Sequence, residues 1–249
     1  MHSTVSWDLN GPGAILKCGP LEAYVRCEEQ GLDLIATQWG ELAIAGIAVL
    51  TSAGPTECAG LLNVAERYVR GADFIANCQP AGAHRIAPQI YWRSAFHAEF
   101  NAARIELVLS AQTDLLDSGP AWGISSIVRD AALFYANLDA QPSFIEISGG
   151  EHDFTKPAKS AEHLFVFRIA SLGISYAQMV HPSDFASAEI NLDGEQPLAL
   201  STTLFPDRLE KGVIRRGRIC GWFLPAQNDL ETAVMLARDF VKEPLPLTV

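Results

Sequence analysis

The feature that most constrains the fold is a series of short apolar runs separated by glycine, proline, asparagine and aspartate. Such runs are too short for core helices and are typical of β-strands joined by tight turns. Strands are predicted at residues 89–93, 104–110, 144–148, 163–169, 174–180, 198–204 and 213–224. We therefore expect a protein built mainly of β-structure.

The side-chain patterns of these runs indicate how the strands pack. Residues 104–110 (RIELVLS) alternate between apolar and polar, as in a strand with one face towards a core. Residues 163–169 (HLFVFRI) are apolar on both faces, which predicts a strand covered on both sides. A short turn containing Gly173 joins them to 174–180, as in a β-hairpin. Together these patterns predict a two-sheet antiparallel β-sandwich.

The length of 249 residues suits one large all-β domain, and no low-complexity tract or obvious linker interrupts the chain. We predict a single β-sandwich-like domain over residues 1–249. The pattern is least specific in residues 1–60, where 32–50 fits either paired strands or a strand and a helix.

One helix is predicted near the C-terminus. Asn228 and Glu231 have the spacing of a capping box, and Pro244 marks the end. The apolar positions between them follow a helical period: Leu230, Val234, Ala237 and Val241. We expect this helix to lie across one sheet or to cover an edge strand.

The composition argues against several classes of partner and location. The net charge of −11 argues against a nucleic-acid partner and an anionic membrane surface. The longest apolar run, 42–50, is too short to span a bilayer, and no secretory signal pattern occurs at the start. The five cysteines lack CxxC spacing, which indicates reduced thiols and a cytoplasmic protein. No phosphate loop, dinucleotide fingerprint or HExxH motif is present, so no cofactor and no metal are predicted.

A possible catalytic pair is His181 and Asp184, in the sequence His-Pro-Ser-Asp directly after a strand. An imidazole beside a carboxylate can act as a general acid or base. The alternative is structural: Ser183 or Asp184 caps a short helical turn over 184–189, and His181 packs at the strand end.

A possible ligand platform lies in the predicted strand 89–93. Gln89, Tyr91 and Arg93 fall on one face, where an aromatic ring beside a guanidinium can stack on a sugar or another flat ligand. The alternative is a sandwich core with Trp92 inside and Arg93 in an ion pair.

A second possible ligand face lies in the basic segment 208–218, which carries +4 inside this acidic chain. Arg216, Arg218 and Trp222 fall on one face, and such a face can bind a carboxylate or phosphate. The alternative is a ladder of cross-strand ion pairs. Its candidate acidic partners are Glu99, Glu106, Glu146 and Glu189.

Four segments resemble a family of bacterial proteins that has no established activity: PQIYWR at 88–93, TDLLDS at 113–118, MVHPSDF at 179–185 and RLEKGVIRRGR at 208–218. This resemblance covers the chain from about residue 62 onward and implies no catalytic residue. At the level of fold alone, a long all-β chain of this size also resembles the large sandwiches of sugar mutarotases and some polysaccharide-active enzymes, although fold does not determine function.

These observations leave three functions open, and whether the protein is an enzyme is among the open points. We favour a β-sandwich that binds a small anionic or carbohydrate ligand through Tyr91, Arg93, Arg216, Arg218 and Trp222. The second hypothesis is an interaction subunit that forms a homo-oligomer, with the basic strand at a sheet edge. The third is a sugar-active enzyme that uses His181 with Asp184.

Overall fold

The computed structural model describes residues 5–27, 31–37, 48–55, 63–80, 85–119, 121–138, 141–155, 162–192, 197–205 and 208–244. These residues form eighteen β-strands and one α-helix. The strands are β1 (Val5–Asn10), β2 (Gly13–Cys18), β3 (Leu21–Arg26), β4 (Gly31–Thr37), β5 (Ala48–Pro55), β6 (Val64–Arg70), β7 (Asp73–Cys78), β8 (Ala87–His97), β9 (Ala102–Gln112), β10 (Trp122–Val128), β11 (Ala132–Asn137), β12 (Ile145–Ile147), β13 (Gly150–Thr155), β14 (His163–Ile169), β15 (Ile174–Val180), β16 (Phe185–Leu192), β17 (Leu198–Leu204) and β18 (Arg215–Pro225). The helix is α1 (Asp229–Lys242).

The strands form two nine-stranded antiparallel sheets. The first sheet has the order β1-β2-β3-β4-β5-β10-β17-β16-β13, and the second has the order β12-β11-β14-β15-β18-β9-β8-β7-β6. The predicted mainly β, antiparallel sandwich with a C-terminal helix is confirmed. Within 32–50, residues 32–37 and 48–50 belong to the paired strands β4 and β5, and residues 38–47 lie outside the described residues.

The strand predictions differ from the structure mainly at strand ends. The bounds of β14, β15 and β17 match the predicted runs, whereas β8 and β9 extend further on both sides. In the β14–β15 hairpin, a 3-10 turn leads to Gly173, which has a positive φ of 62° that favours glycine. Residues 185–189 continue the sheet as β16, so the alternative of a helical turn over 184–189 is wrong.

The main core lies between the two sheets. Trp92 of the second sheet and Trp122 of the first are fully buried in it. The strand β14 contributes Phe165 and Phe167 to this core and directs Leu164 and Val166 to the opposite face, towards α1. The prediction that this strand is covered on both sides is therefore confirmed.

The helix α1 packs on the outer face of the second sheet, over the inner strands β14, β15 and β18. Its buried stripe consists of Ala233, Leu236, Ala237 and Phe240, while the predicted Leu230, Val234 and Val241 flank it. The predicted capping box is wrong, because the side chain of Asn228 caps no amide. The stripe lies one residue away from the predicted one because the sheet, rather than the helix alone, selects the buried face.

Four of the five cysteines, Cys18, Cys27, Cys78 and Cys220, are buried and form no disulfide among the described residues; Cys58 lies outside those residues. In the part of the chain that the structure describes, no helix has the length and apolar character needed to cross a membrane.

Candidate ligand site on the outer face of the second sheet

Strand alternation and register bring the predicted ligand residues to one surface, the outer face of the second sheet. Across β8, β9 and β18, Tyr91 pairs with Val108, which pairs with Arg218. The strand β15 ends beside Arg218, whose carbonyl accepts a hydrogen bond from the amide of His181 at 2.9 Å. The two ligand segments and the His-Pro-Ser-Asp segment, separate in sequence, are therefore adjacent in the fold.

The neighbouring cross-strand rows on this face are also polar. In one row Gln89 pairs with Ser110, which pairs with Arg216; in the next, Arg93 pairs with Glu106. In a third, Arg104 pairs with Trp222. The face thus presents arginine, carboxylate, amide and aromatic groups at the spacing of adjacent strands, about 5 Å.

The helix α1 divides this face into two parts. We call the part beyond the helix, with Gln89, Tyr91, Arg93 and Arg216, the open part. We call the part beneath the C-terminal half of the helix, with Arg104, Glu106, Arg218 and Trp222, the covered part. Arg218 and Trp222 are each only 1% exposed, so the sequence predicted the face of these side chains but not that a helix would cover them.

In the open part, a chain of hydrogen bonds runs across three strands. The Tyr91 hydroxyl donates to Gln89 Oε1 at 2.7 Å, and Gln89 Nε2 donates to Asn77 Oδ1 at 2.6 Å. Asn77 Nδ2 then donates to Glu66 Oε2 at 3.1 Å. This network holds donors and acceptors in fixed orientations on the sheet surface.

Tyr91 was predicted to stack on a ligand, but the structure places it in a nearly buried position. Its ring is 7% exposed and packs with Ile75 and Val108, while the half-buried Tyr68 lies against this cluster from the edge strand. Burial raises the pKa of Tyr91, so its hydroxyl remains protonated as a donor to Gln89. Tyr91 therefore orients the amide network, and Tyr68 is the aromatic ring available at the surface.

The alternative prediction for residues 89–93, with Trp92 in the core and Arg93 in an ion pair, agrees with the structure at both residues. Trp92 is in the inter-sheet core, and Arg93 forms an ion pair with Asp73, with 3.0 Å between Nε and Oδ1. The Arg93 side chain is 35% exposed, so it remains accessible from solvent despite this pair.

In the covered part, the end of α1 is bound by two arginines. Arg104 contacts both carboxylate oxygens of Glu243, at 2.5 and 2.7 Å, and Glu106 Oε2 at 3.1 Å. Arg218 Nη1 donates to the main-chain carbonyls of Glu243 and Pro244, each at 3.3 Å. The ring of Phe240 lies against both guanidinium groups, with centroid distances of 5.5 Å to Arg104 and 5.4 Å to Arg218.

The structure gives an acidic partner for one arginine of the basic segment, and it is none of the four glutamates that the sequence suggested. The exposed Arg208 pairs with Asp117, and Glu106 pairs with Arg104 instead of with the basic segment. Because Asp117 lies in the loop between β9 and β10, the pattern of neighbouring strands could not identify it as the partner of Arg208.

The His-Pro-Ser-Asp segment forms a hydrogen-bonded chain beside Arg218. His181 Nδ1 lies 2.7 Å from Ser183 Oγ, which donates to Asp184 Oδ1 at 2.7 Å. The second carboxylate oxygen of Asp184 accepts from the Arg218 amide at 2.9 Å. The His181 Nε2 atom lies 3.3 Å from the carbonyl of Val241 in α1; the single N–H of a neutral imidazole donates either to this carbonyl or to Ser183 Oγ.

The charges of the covered part shift several pKa values. Burial and the Arg218 charge lower the pKa of His181 despite the opposing charge of Asp184, so its imidazole is neutral at pH 7. Burial also raises the pKa of Glu106. For Glu243, burial alone would raise the pKa, but the hydrogen bonds and charge of Arg104 leave it below the usual range.

Two cavities lie away from the predicted ligand-binding and catalytic residues. One, of about 560 Å³, is at the β10–β11 turn and the end of β12. The other, of about 740 Å³, is at the start of α1 and is lined by Phe144, Arg168 and Val234. Among the described residues, no three His, Cys, Asp or Glu side chains converge in a way that would hold a metal ion.

Comparison with known proteins supports the fold. No family model and no curated protein matches the sequence. A galactose mutarotase-like protein from Clostridium acetobutylicum is structurally similar, with a TM-score of 0.55 and 7% identity over 89% of this chain and 98% of that chain. A proposed aldose 1-epimerase from Klebsiella pneumoniae subsp. pneumoniae has a TM-score of 0.54 and 8% identity, over 97% and 90% of the two chains. At such low identity the likeness shows the fold alone.

The position of β18 also bears on the proposed homo-oligomer. This strand is the fifth of nine in its sheet and pairs with β15 on one side and β9 on the other. The expectation that the basic strand lies at an edge and receives a second copy there is therefore wrong. Self-association by another surface stays a prediction.

Proposed function

We propose that the protein binds a carbohydrate on the open part of the outer face. The observation that carries this proposal is the hydrogen-bonded network of Tyr91, Gln89 and Asn77, which lies between the half-buried Tyr68 and two arginines. A sugar offers hydroxyl groups at its edge and C–H groups on its faces. Fixed amides with an adjacent aromatic ring are complementary to both.

The arginines extend the proposal to acidic sugars. Arg93 and Arg216 lie on either side of the network, and a guanidinium binds a carboxylate through two parallel hydrogen bonds. The fold likeness to a galactose mutarotase-like protein is consistent with a carbohydrate ligand, and it adds no residue to the proposed site.

Replacing Tyr68 with Ala is expected to weaken the binding of D-galactose or D-glucose at least about tenfold, equivalent to about 1.4 kcal/mol, since the ring would no longer cover a sugar face. Titration calorimetry on the full chain would measure this change. Tyr24→Ala is the matched control, because Tyr24 is also half-buried but belongs to the first sheet. Absence of saturable binding of either sugar to the unaltered chain would overturn the proposal, as would equal losses in the two variants.

A second candidate function is a sugar-active enzyme in which His181 acts as acid or base and Asp184 orients it through Ser183. The observation that favours it is the hydrogen-bonded chain that links His181, through Ser183, to Asp184. The Arg218 amide donates to the second carboxylate oxygen of Asp184. In the described conformation the Val241 carbonyl, at the end of α1, contacts His181 Nε2 and keeps a substrate from it. Catalysis therefore requires that the end of the helix move.

If His181 is catalytic, His181→Asn should reduce turnover at least about a hundredfold, the usual contribution of a general acid or base. The assay is polarimetric interconversion of D-galactose anomers, with D-galactose binding measured in the same samples. Binding that persists while turnover is lost would support a catalytic role. Full turnover in this variant would exclude one.

A further inference from the structure

The guanidinium of Arg218 is the least compensated charge in the covered part. Its side chain is 1% exposed, and no carboxylate among the described residues forms an ion pair with it. Its Nη1 atom has only two long contacts with carbonyl oxygens, and its Nε atom has no hydrogen-bond partner in the described part of the chain. A buried charge is normally paired, because desolvation is costly without an opposite charge.

The second arginine of this part, Arg104, obtains its main carboxylate from the helix end. Glu243 provides both oxygens, and its side chain is 38% exposed, so water reaches the pair. If Glu243 is removed, the sheet retains Arg104, Arg218 and Glu106, with one positive charge in excess. The sheet surface would then attract an anion, and the planar guanidinium of Arg104 would select a carboxylate.

The two ends of α1 are held differently. At the first turn, Asp229 is 1% exposed; it accepts bonds from Arg168 Nε at 2.8 Å and from Ser175 Oγ at 2.6 Å. At the last turn, the bonds of Arg218 are both 3.3 Å, and Glu106 Oε1 and Arg218 Nε are buried without partners within the described residues. The start of the helix is therefore held by a buried carboxylate, whereas its end depends on the packing of Phe240 and on the partly exposed carboxylate of Glu243, which a ligand carboxylate can replace on Arg104.

The sheet surface beneath the last turn has the groups that an acidic sugar needs. It offers Trp222, whose ring lies at 79° to that of Phe240, together with Arg104, Arg218 and the imidazole of His181. Displacement of the last turn would uncover all four. It would also join them to the open part through the row of Tyr91, Val108 and Arg218.

We propose that Arg104 and Arg218 form a carboxylate-binding site that Glu243 closes from within the same chain, so that a sugar acid binds by displacing the last turn of α1. This inference rests on the proposed carbohydrate function and narrows its ligand to a uronic acid. The Glu243 carboxylate occupies the position of the ligand carboxylate. Because only molecules with a displaced last turn bind the ligand, the apparent association constant is proportional to the fraction of such open molecules.

The test compares D-glucuronate with D-glucose on the full chain. Glu243→Gln should raise the affinity for D-glucuronate at least about tenfold, because a larger fraction of molecules is open, and should leave the affinity for D-glucose unchanged. Glu231→Gln, an exposed glutamate in the first turn of the same helix, should change neither. Adding Arg104→Gln to Glu243→Gln should abolish the gain.

Amide hydrogen exchange provides a second readout on the unaltered chain. Saturating D-glucuronate should speed exchange at residues 240–242 and leave residues 232–235 protected, since only the last turn is displaced. Unchanged D-glucuronate affinity in Glu243→Gln with normal D-glucose binding would overturn this inference and leave the proposed function intact. An equal gain for both sugars would overturn the carboxylate assignment. Loss of binding of both sugars in every variant would contradict the proposed function itself.

Discussion

Replacing Trp222 with Ala is expected to lower the free energy of unfolding by about 3–5 kcal/mol, the range for removing a large aromatic side chain from a core. Trp222 is 1% exposed and packs against Phe240 of α1, with 5.9 Å between the ring centroids. It belongs to the cluster between the helix and the second sheet, away from the inter-sheet core. The variant would therefore weaken the docking of α1 as well as the whole molecule.

Urea unfolding followed by far-ultraviolet circular dichroism measures this loss. Met235→Ala, a substitution in α1, is the control, because the Met235 side chain is 46% exposed and because methionine and alanine both favour helices. It should change the free energy of unfolding by no more than about 0.5 kcal/mol. A loss below about 1 kcal/mol for Trp222→Ala would mean that α1 contributes little to the stability of the second sheet.

Replacing Asp229 with Asn is expected to lower the free energy of unfolding by about 3 kcal/mol at pH 7. Its carboxylate accepts two bonds from Arg168, at 2.8 and 2.6 Å, and one from Ser175 at 2.6 Å. Hydrogen bonds to charged groups contribute about 1.5–3 kcal/mol each; the lower end applies to Arg168, which is 34% exposed. The amide of Asn would retain a single acceptor oxygen.

The same substitution should flatten the acid dependence of stability. Burial alone would raise the pKa of Asp229, but the bonds from Arg168 and Ser175 leave it below the usual range. The carboxylate therefore stabilises the fold above its unfolded pKa of about 3.9, and this contribution is lost as the pH falls through the lower folded pKa. The gap between the unaltered chain and the variant should be widest near neutral pH and should narrow below about pH 4.

Asp239→Asn is the matched control for this prediction. Asp239 lies on the same helix, but its side chain is 76% exposed and its contact with Lys242 is 3.8 Å long. Such an exposed pair contributes at most about 0.5 kcal/mol. If the two variants lost equal stability at pH 7, the Asp229 network would not be the anchor of α1.

Both of these predictions concern α1, the helix that covers one of the two parts of the candidate site. Asp229 holds the start of α1, whereas Trp222 packs against Phe240 in its last turn, next to the pair of Arg104 and Glu243. Asp229→Asn, at the start of the helix, should change stability, whereas Glu243→Gln, at its end, should change ligand affinity. This separation allows the structural and functional roles of the helix to be measured independently.

Much of the fold followed from local pattern. The bounds of β14, β15 and β17 were predicted correctly, because burial on two faces in β14 and β15 and on alternate residues in β17 leaves a signature in consecutive residues. The helix was found from its apolar period, but its cap was assigned wrongly. Asp229, next to the predicted Asn228, is bound by Arg168 and Ser175 from two distant strands, which no helix pattern could show.

The candidate site was predicted only in part, because its local patterns are visible in the sequence and its long-range contacts are not. Alternation correctly placed Arg216, Arg218 and Trp222 on one face of β18, and Gln89, Tyr91 and Arg93 on one face of β8. Arg104 was recognised only as part of the polar side of a strand, and Glu106 was recognised as part of that side and as a candidate partner of the basic segment, although their alternation carried the same signal. Glu243 had no local signal, since its role depends on where the helix end meets the sheet.

The sequence by itself determined the class of fold, seven of the eighteen strands and the face on which their side chains lie, because a strand repeats every two residues and these properties are local. The tertiary structure alone decided that β18 lies in the middle of its sheet and that His181 is adjacent to Arg218. It also decided that α1 covers Arg218 and Trp222 while Gln89 and Arg93 lie beyond the helix. Those relations depend on strand order and helix docking, which arise from contacts between segments far apart in the chain.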